Sequence, residues 1–308
     1  MSLKVVIFSA FATPFRSGAE ACAEEVAALL QNQHQITIIT SRLRRSLPKE
    51  DRLESGVRVL RVGLGMPLDP WLYPFLAPFA AKKEQPELIH AILETFAGLA
   101  LSIAKIVLPQ AKRLLTLQTT NRKFLKGFVL KSPHAVTAIS SVLVDQARRL
   151  GRTDVVHIPN GVPLAQLTKA RTAIEKVPQR MLFVGRLEHV KGVDVLLEAL
   201  SMLHASHNFD LSPWMLHIVG DGSQREDLQN LSLDLGLGDH VKFLGPLKGP
   251  DLFREYAQAE IFCGLSRSEA LGNVFLEAQA AGCAVIGTTV GGIPDIVKNA
   301  KAFCESLS

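Results

Sequence analysis

Two stretches carry residue types that could do chemistry: Gly185 to Gly192, reading G-R-L-E-H-V-K-G, and Glu269 to Glu277, reading E-A-L-G-N-V-F-L-E. The first follows the apolar run "MLFV" and precedes the amphipathic "VDVLLEAL". Gly185 then turns the chain, Arg186 and Lys191 supply two cations, and Gly192 leads a helix whose first N–H groups have no intrahelical partner. Two cations and free amides at a glycine turn can hold two phosphates. In the second stretch a helix beginning near Asn273 puts Glu277 in its second turn and leaves Glu269 in the loop before it. Both carboxylates can then face one bound molecule and accept hydrogen bonds from sugar hydroxyls, those of a ribose and a hexose. Alone, the first stretch also reads as two surface cations after a common strand-glycine-helix unit. Between the two, "LHIVGDGSQREDLQNL" places Gly220, Asp221 and Gly222 after a buried strand and before a helix capped at Ser223, which by itself marks only a tight strand end.

The elements that must position these residues follow from periodicity. Short apolar runs such as "KVVIFSA", "QITIIT", "VRVLRV", "ELIHAI", "RLLTLQ", "AVTAIS" and "DVVHIP" alternate with helical patterns such as "GAEACAEEVAALLQNQ" and "SVLVDQARRLG". This is the β-α-β alternation of a parallel sheet with helices on both faces. The pattern lapses at "PNGVPLAQLTKARTAIEKVPQ" and restarts with "RMLFVG", "WMLHIVG", "VKFLG", "IFCGL" and "CAVIGTT". The expected fold class is α/β, with two doubly wound Rossmann-like domains: residues 1–163, a linker at 164–179, and residues 180–308. Ligands are expected in a cleft where strand carboxyl ends face each other.

Composition narrows the function classes. An apolar share of 47% over 308 residues supports real cores. The start "MSLKVVIFSAFATPF" reads as a first strand rather than a signal peptide, and no run of about eighteen apolar residues exists, so a cytoplasmic protein is expected. Cys22, Cys263, Cys283 and Cys304 lack metal-ligand spacing and read as reduced core residues, so no metal site is expected. Up to Pro163 there are 21 Lys+Arg against 12 Asp+Glu; beyond it 13 stand against 17, so the first half is the basic one. There, "DPWLYPFLAPFAAKK" sets Trp71, Tyr73, Phe75 and Phe79 beside Lys82 and Lys83. "NRKFLKGFVLK" places Arg122, Lys123, Lys126 and Lys131 around Phe124, Leu125, Phe128 and Val129. Such interleaving suits peripheral contact with an anionic membrane face; it equally describes amphipathic helices packed on the sheet with their lysines in water. No nucleic-acid-binding module accompanies the charge.

Together, V-G-R-x-x-x-x-K-G, the Gly-Asp-Gly turn, E-A-L-G-N-V-F-L-E-A-Q-A-A-G and G-G-I-P-D, with "HIPNGV" and "PFRSGAEACAEEVAALL", resemble the retaining GT-B glycosyltransferases of family 4 along nearly the whole chain. The resemblance implies sugar transfer from a UDP- or GDP-sugar to a hydroxyl of a glycan or lipid-linked acceptor, without metal or other cofactor. By that resemblance, Arg186 and Lys191 neutralise the leaving diphosphate, Glu277 binds the ribose and Glu269 the transferred hexose near the reacting carbon. Gly272, Asn273 and Val274 contact sugar and phosphate through their backbone, Phe243, Leu244 and Gly245 border the base, and Gly18 meets the donor phosphate.

The first half departs from the pattern. Ser17-Gly18 stands where relatives have two glycines, Ile92 follows His90 where a second histidine is common, and Gln118 replaces another histidine. His90 then reads as a strand-end histidine with a satisfied hydrogen bond or as an acceptor-side group, and Glu94 can approach the cleft instead. Pro163 and Asp295 are milder changes. Relatives continue for further helices beyond the region of Pro294, so the second domain is expected to be truncated. Two rivals stay open: a GT-B protein that binds nucleotide or a partner without transfer, and a nucleotide-sugar epimerase. A dehydrogenase does not fit, since no G-x-G-x-x-G follows the first strand and Thr40 and Ser41 end the second.

Overall fold

The computed structural model describes residues 2–15, 18–120, 125–206 and 210–297. The chain divides into two units, Met1–Asn160 and Gly161–Ser308.

Unit 1 comprises β1 (Lys4–Phe8), α1 (Gly18–Leu30), β2 (Gln35–Ser41), β3 (Glu50–Arg52), β4 (Arg58–Val62), α2 (Asp69–Glu84), β5 (Leu88–Ile92) and α3 (Phe96–Val107). It continues through β6 (Lys112–Leu117), α4 (Lys126–Val129), β7 (Ala135–Ala138), α5 (Ser141–Arg149) and β8 (Val155–His157). Its sheet runs β3-β4-β2-β1-β5-β6-β7-β8, parallel except for β3 against β4. Strand order reverses between β1 and β5. "VVIF" of β1 and "ITIITS" of β2 are buried throughout, as strands covered on both faces require.

α2 resolves the first aromatic segment as a helix apolar on two sides. Pro70, Tyr73, Pro74, Ala77, Pro78 and Ala81 recur at helical spacing and are buried, and the Tyr73 hydroxyl donates to the Ile39 carbonyl of β2 at 2.8 Å. Asp69 sets the helix start: its fully buried carboxylate accepts from the amides of Leu64, Gly65 and Met66 at 2.8–3.2 Å. In the second basic segment, Lys126 is buried rather than solvated, while Leu125 and Phe128 are exposed; Arg122, Lys123 and Phe124 lie outside the described residues.

Unit 2 comprises α6 (Leu164–Ala173), β9 (Arg180–Val184), a single 3-10 turn (His189–Lys191), α7 (Val193–Ala205), β10 (Met215–Val219), α8 (Arg225–Asp234) and β11 (Val241–Gly245). α9 (Gly249–Gln258), β12 (Ile261–Gly264), α10 (Asn273–Ala280), β13 (Ala284–Gly287) and α11 (Ile293–Ile296) follow. The order β11-β10-β9-β12-β13 is wholly parallel and reverses between β9 and β12. Alternation along β9 feeds two cores. Met181 and Phe183 join Leu197, Leu216 and Ile218 on one face; Leu182 joins Leu167, Tyr256, Phe262 and Phe275 on the other. The Phe275 ring stands edge-on to Phe262, and Gly264 and Gly287 lie so close that a Cβ there would come within 2.4 and 2.8 Å of it.

Two expectations are corrected. Most of the supposed linker 164–179 is α6, Leu164–Ala173, which packs on α9 and α10 through the buried Leu167; one buried leucine among polar residues leaves no periodic signal. Ser223 does not cap a helix side-on: α8 starts at Arg225, and Ser223 instead donates through amide and hydroxyl to Glu188 at 3.1 and 2.7 Å. Among the described cysteines, Cys263 and Cys283 are buried free thiols and Cys22 is half-buried. Burial pushes the Cys263 thiol up to about 12. Cys304 lies outside the described residues.

Candidate functional site

In unit 2 the sequence-derived residues gather on the loops that leave the carboxyl ends of the strands. Gly185 and Arg186 follow β9, Gly220 and Asp221 follow β10, Gly245 ends β11, Glu269 follows β12, and Gly291 and Gly292 follow β13. The first three ends are laced together: the Gly185 amide donates to Val219 at 3.0 Å and the Gly220 amide to Gly245 at 2.9 Å. Gly220, at φ +139°, lies against the Gly185 carbonyl, which an added Cβ would meet at 1.8 Å. The register slips between Ile218 and Val219, so Leu244 is bulged out of the β10–β11 ladder. Phe243 packs on one core and Leu244 on the other.

Lys191 and Glu269, 78 residues apart in sequence, form an ion pair at 2.5 Å with side chains 19% and 14% exposed. They sit on the β9 and β12 connections, the two that flank the reversal of strand order, where doubly wound sheets hold ligands. Gly192, left-handed at φ +65°, lets the β12 loop approach, since a Cβ there would lie 2.0 Å from the Leu265 carbonyl. Arg267 then clamps the loop. Its guanidinium donates once to the His189 carbonyl at 2.8 Å and twice to Asp194 at 2.7 and 2.8 Å, and the two bonds to Asp194 hold that carboxyl below its usual range. The turn bearing Lys191 and the loop bearing Glu269 are thus one assembly.

Arg186 is exposed, and among the described residues no carboxylate pairs with it closely. Asp221 is occupied locally: its carboxylate accepts from the Gly222 amide at 2.9 Å and faces Arg225 at 3.6 Å. Arg225 lies beside Gly245, adding a cation to the same edge. Gly272, at φ +93°, opens α10, and Asn273 and Val274 form its first turn. Glu277 sits in the second turn, as expected, and accepts from the hydroxyl of the fully buried Tyr256 at 2.7 Å. Burial, and then Glu277, raise the Tyr256 hydroxyl well above its ordinary range.

The unit 1 candidates behave differently. His90 lies in the body of β5, with Nε2 2.7 Å from the Thr116 hydroxyl, which continues to Thr137 at 2.8 Å. Burial lowers its imidazole to about 4. Glu94 is buried and ion-paired with Lys126 at 2.5 Å, and it accepts from the Gln118 amide at 2.9 Å. Lys126 also donates to the Thr119 carbonyl and to Gln146. Glu94, read from the sequence as a residue that can approach the cleft, thus stands buried just beyond the end of β5 with its charge met by Lys126. The Gln118 side chain exchanges bonds with Asn160 at 3.3 Å, and Cys22 reaches the same Asn160 at 3.4 Å. Gly18 begins α1 with open space around it; Ser17 lies outside the described residues.

Sequence reasoning missed Arg267, Arg225, Tyr256 and Lys126 as parts of these sites. Only the tyrosine in the amphipathic "LFREYAQ" carried a signal, a polar tip on a core-facing stripe.

Family models described as Glycosyltransferase Family 4 and Glycosyl transferases group 1 match residues 16–166 and 166–306, meeting close to the boundary between the units. An uncharacterized glycosyltransferase of Methanocaldococcus jannaschii is 38% identical over 119 residues, 39% of this chain and 29% of that protein. A D-inositol 3-phosphate glycosyltransferase of Mycolicibacterium gilvum is 34% identical over 163 residues, 48% of this chain and 34% of its own length. The chain thus spans about a third of these curated relatives. Among solved structures, sucrose-phosphate synthase of Thermosynechococcus elongatus superposes with a TM-score of 0.76 at 19% identity, covering 99% of this chain and 90% of that one. HepE of Anabaena, solved with UDP and glucose, gives 0.70 at 19% identity, covering 95% and 82%. Two α/β units with largely parallel sheets, a fold shared with these solved structures, and two family models that together reach from residue 16 to 306 leave one assignment: the chain belongs to the GT-B glycosyltransferases of group 1.

Proposed function

We propose that the chain transfers a hexose from a UDP- or GDP-sugar to an acceptor hydroxyl, with retention of anomeric configuration. The observation that carries this reading is the Lys191–Glu269 pair flanking the strand-order reversal of unit 2, with Arg186 exposed on the same β9 connection. Arg186, Lys191 and the first amides of α10 meet the charge that builds as the diphosphate leaves, so no metal is invoked. Glu277, oriented by Tyr256, accepts from the ribose hydroxyls. Glu269 accepts from a hydroxyl of the transferred sugar while its Lys191 partner faces the phosphate. The acceptor oxygen attacks the anomeric carbon on the face the diphosphate leaves. The departing phosphate oxygen takes the acceptor's proton, and no protein nucleophile is needed.

The test is a calorimetric titration of the chain with UDP and with GDP, repeated on Arg186→Ala, followed by incubation with the matching labelled sugar donor. One nucleotide bound by the wild type and weakened in the variant, with label passing to an acceptor, supports the reading. A folded chain that binds neither nucleotide overturns it, and isomerised sugar released without any acceptor favours an epimerase.

A further inference from the structure

A cavity of about 470 Å³ opens on unit 1 at the carboxyl edge of its sheet. Phe11 and Phe15 reach it from the loop after β1, Leu43 and Arg44 from the loop after β2, and Phe96 from the start of α3 beyond β5. Pro67, Pro70 and Trp71 close it from the entry to α2, the segment that Asp69 fixes through three backbone amides. β1 and β5 are the neighbours between which strand order reverses, so the cavity stands where such sheets take ligands, and its size suits a small molecule or part of one. Leu43 holds a left-handed φ of 61° without being glycine, a strain that persists where surroundings over-determine it and that clusters at ligand sites.

Every lining side chain is apolar except Arg44. Its guanidinium sits 4.6 Å from the centre of the Phe15 ring, and no carboxylate among the described residues pairs with it. The apolar surface continues past the rim. Leu68 just before α2 and Trp71, Phe75 and Phe79 along it follow at three- or four-residue intervals, are 59–64% exposed, and lead to the exposed Lys82 and Lys83. A helix apolar on its exposed face as well as its buried one is expected only where something apolar covers it. Aromatic rings followed by cations, on the half of the chain with 21 basic against 12 acidic residues, match the boundary of an anionic bilayer.

We infer that the cavity binds an anionic lipid, with the apolar chain among Phe11, Phe96 and Trp71 and the anionic group on Arg44, taken from a bilayer face on which α2 rests. Calling this lipid the acceptor rests on the transferase reading above; binding of the lipid does not.

Trp71 reports on the rim directly. The chain has two tryptophans, so Trp214→Phe leaves Trp71 as the only one. In that full-length variant, lysophosphatidate below its micelle concentration is expected to blue-shift Trp71 emission, and Arg44→Ala to weaken the response about tenfold, as loss of one charge-assisted bond does. Vesicles containing phosphatidylglycerol should give the same shift, reduced by salt, and pure phosphatidylcholine vesicles should not. Three results overturn the inference: no change in emission while UDP or GDP still binds, an equal response to glycerol 3-phosphate without a chain, or a response to a long-chain alcohol as strong as to lysophosphatidate and unaltered by Arg44→Ala. A Trp71 response in a chain that binds no nucleotide supports the lipid site and removes the transferase reading instead.

Discussion

In unit 2 the loops at the carboxyl edge present Arg186 at the surface, keep Arg225 half-buried against Asp221 and hold Lys191 by a single carboxylate. In unit 1 the same edge has its charge locked away: Glu94 and Lys126 neutralise each other inside, His90 is kept uncharged, and what opens outward is apolar with one arginine. Both units use a sheet whose strand order reverses once, wholly parallel in unit 2 and parallel but for β3 in unit 1. The scaffold therefore fixes where a ligand sits and leaves its chemistry to the loop residues. A polyanion suits one edge and an amphiphile the other.

Four experiments bear on that contrast. The largest effect is expected for Lys126→Met, which leaves the Glu94 carboxylate buried without its partner and should cost about 3–5 kcal/mol in denaturant unfolding, with Glu94→Gln added to it recovering much of the loss. A cost below about 1 kcal/mol would mean that the pair does not close the edge of unit 1. On the proposed function, Arg186→Ala should lower turnover at saturating donor by roughly a hundredfold, about 2.7 kcal/mol, and leave unfolding unchanged. Near-normal turnover would remove the electrostatic distinction between the edges.

His90 gives the next effect. With its imidazole at about 4 against an ordinary 6.5, the unfolded chain binds a proton that the folded chain refuses between those values. This contribution to stability is complete above 6.5 and is lost as the pH falls toward 4, by about 2 kcal/mol once partial solvent access is allowed for. Unfolding curves of wild type and His90→Asn across that window should diverge, and parallel curves would show the imidazole free to protonate. Smallest is Tyr256→Phe, expected to cost about 1 kcal/mol of stability and to raise the donor KM severalfold with kcat unchanged. A fall in kcat instead would place Glu277 in the transition state.

Much of this architecture was legible in the chain because strands buried on both faces, such as β1, β2 and β9, write themselves as apolar runs and others, such as β4 and β6, as alternation; apart from β3, the described strands stand where one of these patterns occurs. The exception, Glu50–Arg52, is three exposed charged residues on an outer antiparallel edge, with neither alternation nor an apolar run to mark it. On the site side, the glycine turns, the position of Glu277 in α10 and the loop placement of Glu269 follow from local spacing. The side-chain pairings do not. Lys126 reads as a surface cation until β6 and α4 bring it against Glu94, and Arg267 reads as one more loop arginine until the β12 connection folds onto the start of α7. Which partner a charge finds is a tertiary fact, and residue type and spacing carry no record of it.

The ring of Phe275 implies something about how such chains can change. Because Gly264, Gly272 and Gly287 each stand within what would be a clash distance of that one phenyl group, part of the glycine signature is the imprint of a neighbour's bulk rather than a code for phosphate. The four positions form an epistatic set. Alanine at Gly264 or Gly287 should be poorly tolerated beside Phe275 yet better accepted once that ring is trimmed to leucine, so drift at these glycines has to wait for a change at Phe275 that by itself opens a void.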